Sequence, residues 1–464
     1  MREPNASAGG AGGGGPPEDW GYTPAVSGGG IISGAGEGSR LPPRAAIVSV
    51  GDELLLGETV DTNGTWLARE LSDLGFRVVR RWVVGDVPGE IREGVGEALA
   101  RADVMVVTGG LGPTPDDLTL SAVAGLLGRG LRTDTGVLSR LEERFRARGL
   151  GSLPEEARAM ARVPEGARVL ANARGSAPGI ALETGGGGLC ILLPGVPAEM
   201  KGIFGDQVAP LLRERFSSRL EPVAHRVIHT TGIPESLLAR EVARLDLPGD
   251  PGVSMAFLPD LRGVRLRLTA RGIPGDHGVQ GALARMEERL EPVVAPFRYR
   301  SEAGDLAESL GQALLSRRMT LATAESCTGG LVAKRMTDHP GSSSYFLGGV
   351  VAYANHVKEA LLGVSPVLLE EKGAVSREVA EAMASGVAAR FGSTAGVGIT
   401  GVAGPGGGTA EKPVGTVWIA TSVGGEVTSR LELFTGPRED VRERGAQAAM
   451  ALLFWEIQGR RSPS

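Results

Sequence analysis

Aromatic residues make up only 4% of this 464-residue chain, too few for a protein that holds nucleic-acid bases mainly by stacking. Nor is there a basic excess: 49 lysines and arginines against 54 aspartates and glutamates leave a net charge of −5. A nucleic-acid binder needs a cationic face for phosphates. The two cysteines, Cys190 and Cys327, stand far apart with no CxxC pair, which supports neither a disulfide framework nor a zinc site. No apolar run approaches the roughly 18 residues that cross a bilayer. The opening MREPNASAGGAGGGGPPEDW has neither the basic nor the apolar stretch of a secretory signal. The expectation is a cytoplasmic protein with no membrane partner and no direct nucleic-acid contact.

What the chain has in excess is glycine: 72 residues, about twice the usual frequency. With 42% hydrophobic residues it still carries enough apolar side chain for packed cores, and its length predicts about two to four domains. Residues 1–40 hold 13 of the glycines and no periodic apolar pattern, so 1–43 read as a disordered tail. Many of the others follow apolar, β-like runs directly, where a turn brings backbone close to a ligand.

From 44 to 216, strand-like runs (45–50, 77–85, 103–110, 189–195) alternate with helical spacing (62–74, 90–101, 117–128, 134–148, 197–216). That alternation predicts a parallel sheet with helices on both faces. The style changes over 217–300, where VRLRLTAR alternates strictly and predicts a sheet with one wet face. This small α+β unit has no cluster of acids, histidines or thiols and reads as a spacer or dimer-organising module. Over 301–464 the α/β pattern returns, with strands near 319–326, 345–354, 394–401 and 415–423 and helices at 303–317, 330–338, 376–391 and 438–457.

In the first segment, VVTGGLGPTPDDLT (106–119) runs a buried strand into Gly109, Gly110 and Gly112, then Thr114, then Asp116 and Asp117 opening a helix. Glycine-rich backbone at a helix start suits an anion. Two acids at that place either hold a divalent cation or cap the helix. SVGDELLLGETVDTN (49–63) and LLPGVPAEM (192–200) end apolar strands too, and three such turns can share one crevice.

The last segment carries TLATAESCTGG (320–330), where a strand breaks into a helix at Ser326, Cys327 and Thr328. A nucleophile on such a turn sits beside backbone donors for an oxyanion. Lys358, with Tyr353 nearby, follows the next strand and can serve as base for serine; Cys327 is the rival nucleophile. The alternatives are an ordinary helix cap, an inert buried thiol and a solvated lysine. The loop GITGVAGPGGGTAEKPVGTVWIA (398–420) is long enough to be functional. Arg438 and Arg442, one helical turn apart, can grip a phosphate.

Together these strings resemble the CinA family: a molybdopterin-binding domain of the MoaB/MogA type, a KH-type linker and a CinA C-terminal domain. The resemblance implies two three-layer α/β domains with mostly parallel sheets, joined by a small α+β, KH-like domain. For 44–216 it implies hydrolysis of a pyrophosphate such as ADP-ribose to AMP and ribose 5-phosphate with Mg²⁺, Mn²⁺ or Co²⁺. There Asp116 and Asp117 handle metal and phosphate, Gly109, Gly110, Gly112 and Thr114 cradle the ligand, and Asp52, Asp61, Asn63 and Glu199 complete the rim. For 301–464 it implies conversion of nicotinamide mononucleotide to nicotinate mononucleotide and ammonia, without a cofactor. Ser326 is then the nucleophile, Lys358 its base and Tyr353 an orienting group, with Thr328, Gly329, Gly401, Arg438 and Arg442 on the substrate.

The chain departs from the family pattern at Gly406, where an aspartate is usual, and at Gly436-Pro437-Arg438 in place of Gly-Asp-Arg. Its linker lacks a GxxG loop with basic flanks, so nucleic-acid binding there is unsupported. A homodimer is expected. The rival readings are a binding protein acting in competence, and a first domain that binds molybdopterin without hydrolysing a pyrophosphate.

Overall fold

The computed structural model describes residues 41–149, 152–245, 247, 252–273 and 278–460. The expected glycine-rich tail lies outside the described residues except for its last three.

Three fully buried runs, RAAIVSV after its first residue, VMVVT and LCILL, form the centre of the first sheet as β1 (Arg44–Val50), β3 (Val104–Thr108) and β8 (Leu189–Leu193). Apolar on both faces, they need cover on both. β2 (Arg77–Val84) flanks β1, and all three contacts β2-β1, β1-β3 and β3-β8 are parallel. The short β6 (Arg168–Leu170) and β7 (Gly179–Glu183) extend the other side antiparallel, giving the order β2-β1-β3-β8-β7-β6. A separate hairpin pairs β4 (Leu131–Thr133) with β5 (Arg162–Pro164). One face is covered by Leu67 and Leu71 of helix Thr62–Asp73 with Met200, Phe204 and Leu212 of the 197–216 segment. The other face takes Ile91 and Val95 of helix Pro88–Arg101 with Val123 of helix Thr119–Leu126. The 197–216 segment is not one uniform helix. Pro210 has no N–H to give, and the turn Phe204–Val208 widens into a π-helix.

The middle unit is an antiparallel sheet of β9 (Val223–Thr230), β10 (Val253–Asp260), β11 (Gly263–Arg271) and β12 (Arg298–Tyr299) in the order β10-β11-β9-β12. Alternation in β11 buries Val264, Leu266, Leu268 and Ala270. They pack on helices Glu235–Ala243 and Gly278–Val294 through Leu238, Leu283 and Leu290.

In the third sheet, β13 (Leu321–Glu325), β14 (Phe346–Val351), β15 (Ala395–Gly401), β16 (Thr416–Val423) and β17 (Glu426–Leu433) run in the order β14-β13-β15-β16-β17. The first three are parallel and the last two antiparallel. β17 was not expected; the turn at Gly424 and Gly425, both at positive φ, folds it back on β16 as a hairpin. Helix Arg377–Phe391 covers one face. Helices Leu306–Ser316, Leu331–Thr337 and Arg438–Ile457 cover the other.

The middle and last units meet through polar groups. Arg335, 1% exposed, donates to Asp305 (2.5 Å) and Gln447 (2.8 Å), and Gln447 donates to Thr231 Oγ1 at 3.1 Å. Burial pushes the Asp305 carboxyl up, but the hydrogen bond and charge of Arg335 outweigh it and hold its pKa below the usual carboxylate value. Removing the acid strands a buried guanidinium. Asp305→Ala is expected to cost about 3–5 kcal/mol in urea unfolding, against at most about 1 kcal/mol for the half-exposed Arg262→Ala.

Candidate functional site

The crevice of the first domain is built where β1, β3 and β8 end side by side. Asp61 caps helix Thr62–Asp73 by accepting the Gly64 amide at 2.7 Å. Its carboxylate also takes Ser49 Oγ (2.9 Å) and Arg81 (2.7 Å). Two residues on, Asn63 donates to the Gly195 carbonyl at 2.6 Å and to Thr108 Oγ1 at 3.3 Å, tying the turns after β8 and β3 together. Asn63 Oδ1 is buried without a hydrogen-bond partner. Gly109 lies at φ +108, where a Cβ would fall 2.2 Å from the Val50 carbonyl. No side chain fits, so the turn must be glycine.

Beyond it, Asp117 Oδ2 takes both the amide (2.8 Å) and the hydroxyl of Thr114, three residues back, and so closes the loop. The helix begins only at Thr119, so Asp117 shapes the loop and does not cap the helix. Among the described residues, no hydrogen bond takes up the amides of Gly110, Leu111 and Gly112, and three successive free N–H groups make an anion nest. A cavity of about 330 Å³ beside the turn is lined by Leu111, Pro113, Leu118, Met160, Ile180 and Arg162, among others.

Two of the predicted rim acids point elsewhere. Asp52 and Asp86 exchange amide–carboxylate bonds at 3.0 and 3.1 Å. Burial, with repulsion from Asp52, Glu53 and Asp117, raises the Asp86 pKa. Glu199 accepts from Asn172 at 2.6 Å. Among the described residues no three His, Cys, Asp or Glu side chains are grouped to hold a metal ion. With one Asp117 oxygen already taken by Thr114, that donor set does not fit a cation held by the protein alone.

The second site lies on β13. After Glu325 the chain turns, held by the Ser326 amide on the Ile399 carbonyl at 2.9 Å. Lys358 rides on helix Asn355–Leu362 and is 1% exposed, which removes the alternative of a solvated lysine. Its Nζ lies 2.8 Å from the Ala352 carbonyl, 3.3 Å from that of Tyr353 and 3.3 Å from Ser326 Oγ. Two carbonyls and a hydroxyl, none of them charged, surround the amine. Burial draws the Lys358 pKa below the ordinary lysine value. Cys327 belongs to the core beneath the sheet, and burial pushes its thiol up to about 12. A thiol that stays protonated is a poor nucleophile.

Around this dyad, Thr328 is buried and its hydroxyl donates to Glu325 at 2.7 Å, while its carbonyl accepts from Arg442 at 3.0 and 3.3 Å. Arg442 also lies against Gly329. Arg438 donates to the Gly404 carbonyl at 2.8 Å and to Tyr353 Oη at 3.1 Å. The two arginines thus pin the Ser326–Gly330 turn and the glycine-rich loop to one helix end. Tyr353 touches Lys358 through its carbonyl, and its ring is 62% exposed. Gly401 closes β15 against the Thr416 carbonyl. At Gly406 a Cβ would meet nothing within 4 Å, so the missing aspartate is not excluded by space. Pro437 stands at the N-cap of helix Arg438–Ile457, where an acidic side chain would accept a free amide.

Sequence reasoning gave Glu325 no role. It is 1% exposed and accepts three hydrogen bonds; an acid followed by small residues and a helix start was the available signal.

Three family descriptions match in order: "probable molybdopterin binding domain" over 46–214, "damage-inducible protein CinA KH domain" over 225–299 and "CinA C-terminal domain" over 303–457. A CinA-like protein of Gemmatimonas aurantiaca is 48% identical over 404 residues, covering 87% of this chain and 94% of the relative. A putative competence-damage inducible protein of Moorella thermoacetica is 41% identical over 417 residues, covering 90% and 99%. Among solved structures, a CinA protein of Thermoplasma acidophilum is 35% identical with a TM-score of 0.35, covering 37% of this chain and 98% of its own. The molybdopterin biosynthesis enzyme MoaB from Thermus thermophilus is 26% identical with a TM-score of 0.27, covering 38% and 96%. By sequence identity across nearly the whole of these relatives, the chain belongs to the CinA family.

Proposed function

We propose that the C-terminal domain is a serine amidohydrolase that converts nicotinamide mononucleotide to nicotinate mononucleotide and ammonia. The observation that carries this reading is the buried Lys358 amine, 3.3 Å from Ser326 Oγ and hydrogen-bonded otherwise only to carbonyls. Lys358 takes the Ser326 proton as Oγ attacks the carboxamide carbon. The resulting oxyanion is held by backbone donors of the turn that follows Ser326. The lysine then gives its proton to the leaving nitrogen, the C–N bond breaks and ammonia departs. Water hydrolyses the ester by the same route, regenerating Ser326. Arg438 and Arg442 supply the cationic end for the substrate phosphate.

For the N-terminal domain the reading is cleavage of ADP-ribose to AMP and ribose 5-phosphate. It rests on the nest at Gly110–Gly112 beside the 330 Å³ cavity, which suits a diphosphate joined to an apolar body. Pterin binding without hydrolysis is the second reading, favoured by the matched domain description.

Three outcomes are expected. Ser326→Ala lowers ammonia release from nicotinamide mononucleotide by about 10³-fold or more, while Cys327→Ala stays within several-fold; the reverse ranking would make the thiol the nucleophile. Because only the neutral amine is a base, kcat/KM rises with pH through the lowered Lys358 pKa, its half-point lying below about 10.4. A flat profile up to that pH overturns the role of Lys358. With Mg²⁺, Mn²⁺ or Co²⁺ added, AMP forms from ADP-ribose, and Gly110→Ala, at φ +64 and 2.2 Å from Thr119 Oγ1, reduces it strongly. No AMP but tight pterin binding by calorimetry would select the second reading.

A further inference from the structure

Lys358 explains how Ser326 loses its proton, but not what holds the serine in place. The turn Ser326–Gly330 contains two consecutive glycines in the left-handed region, Gly329 at φ +64 and Gly330 at φ +90. Beside it a short helix, Leu331–Thr337, begins without a side-chain cap from the residue that precedes it. Its first amides would be orphaned in a buried setting. One group answers both needs. Glu325 Oε1 accepts the Ala333 amide at 2.8 Å, and Oε2 accepts the Val332 amide at 3.1 Å and Thr328 Oγ1 at 2.7 Å. The carboxylate therefore spans the turn, gripping it at Thr328 and at the helix beyond.

The main chain of the same residue reaches the base. The Glu325 carbonyl accepts the Ala352 amide at 2.8 Å, and the Ala352 carbonyl in turn accepts Lys358 Nζ. Ser326 follows Glu325 directly. Nucleophile and base are thus both referred to one residue, the first through its side chain and the second through its backbone.

We propose that Glu325 is a positioning residue for the nucleophile: its carboxylate fixes the Ser326–Gly330 turn so that Ser326 Oγ stays within reach of Lys358. Glu325 touches no substrate and exchanges no proton. An amide of the same shape cannot replace it, because the glutamine NH₂ would face an N–H or hydroxyl that already donates. The proposal rests on the reading of Ser326 and Lys358 as nucleophile and base, so its test needs a readout that does not depend on the substrate.

The full chain and its Glu325→Gln and Thr328→Val variants are compared in two assays: steady-state ammonia release from nicotinamide mononucleotide, and second-order labelling of Ser326 by a fluorophosphonate, located by mass spectrometry. Charge-assisted hydrogen bonds of this kind predict a fall of roughly tenfold to a hundredfold in both kcat and labelling rate for Glu325→Gln. KM stays within about twofold. Thr328→Val, which removes one donor and leaves the charge, falls less in labelling. Unchanged labelling in Glu325→Gln overturns the proposal, as does a change confined to KM. If Glu325→Gln does not fold, unchanged labelling of a folded Thr328→Val overturns it. If the wild-type chain releases no ammonia but its Ser326 is labelled and Glu325→Gln slows that labelling, the positioning role stands and the substrate assignment falls.

Discussion

Lys358 Nζ sits where water is excluded, and its hydrogen bonds go to two main-chain carbonyls and one hydroxyl, none of which carries a charge. A protonated amine in that setting pays the full desolvation cost with no carboxylate to offset it. Burial therefore draws its pKa down and brings the neutral form, the one that accepts a proton, closer to reach. Much of the third domain follows from that constraint. The core packed around Ala352 and Leu362 and the helix that carries Lys358 withhold water from the amine.

Both α/β domains place their polar groups by the same device, a buried strand that stops at a turn. They fasten those turns differently. In the first domain one uncharged side chain, Asn63, ties two neighbouring turns through a carbonyl and a hydroxyl. In the third, Arg438 and Arg442 reach across from the start of the last helix to the Gly404 and Thr328 carbonyls. Anchoring by arginine leaves cationic N–H groups at the rim, whereas anchoring by asparagine leaves only bare amides. The third-domain turns thus carry guanidinium groups at their rim, and the first-domain cavity has Arg162 beside its free amides.

Much of this was legible in the sequence because strand-end turns announce themselves. AAIVSV, VMVVT and LCILL are apolar without alternation, and each runs into glycine or proline, so the three-layer build and the sides on which the turns lie could be read directly. What was not legible were the long-range partners. Lys358 has an amphipathic helical context, and only the tertiary packing shows it buried. Asp117 follows a proline-threonine-proline run and reads as a helix cap, yet the loop closes on Thr114 before the helix starts. Asp52 and Glu199 lie in the right motifs but find Asp86 and Asn172 nearer than any shared centre. β17 was missed because its alternation is short and half polar, and pairing with β16 supplies what propensity does not.

The last helix also serves the middle domain. Its first turn carries Arg438 and Arg442, and two turns further on Gln447 is hydrogen-bonded to Arg335 and to Thr231 in the antiparallel unit. A single rod thus joins the turn at Thr328 and the loop at Gly404 to the antiparallel unit. Gln447 stands nine residues along the helix from Arg438 and five from Arg442, so the middle unit and the Thr328 and Gly404 carbonyls are fastened to the same rod. A shift of the middle domain is in this way felt at the turn that carries Ser326.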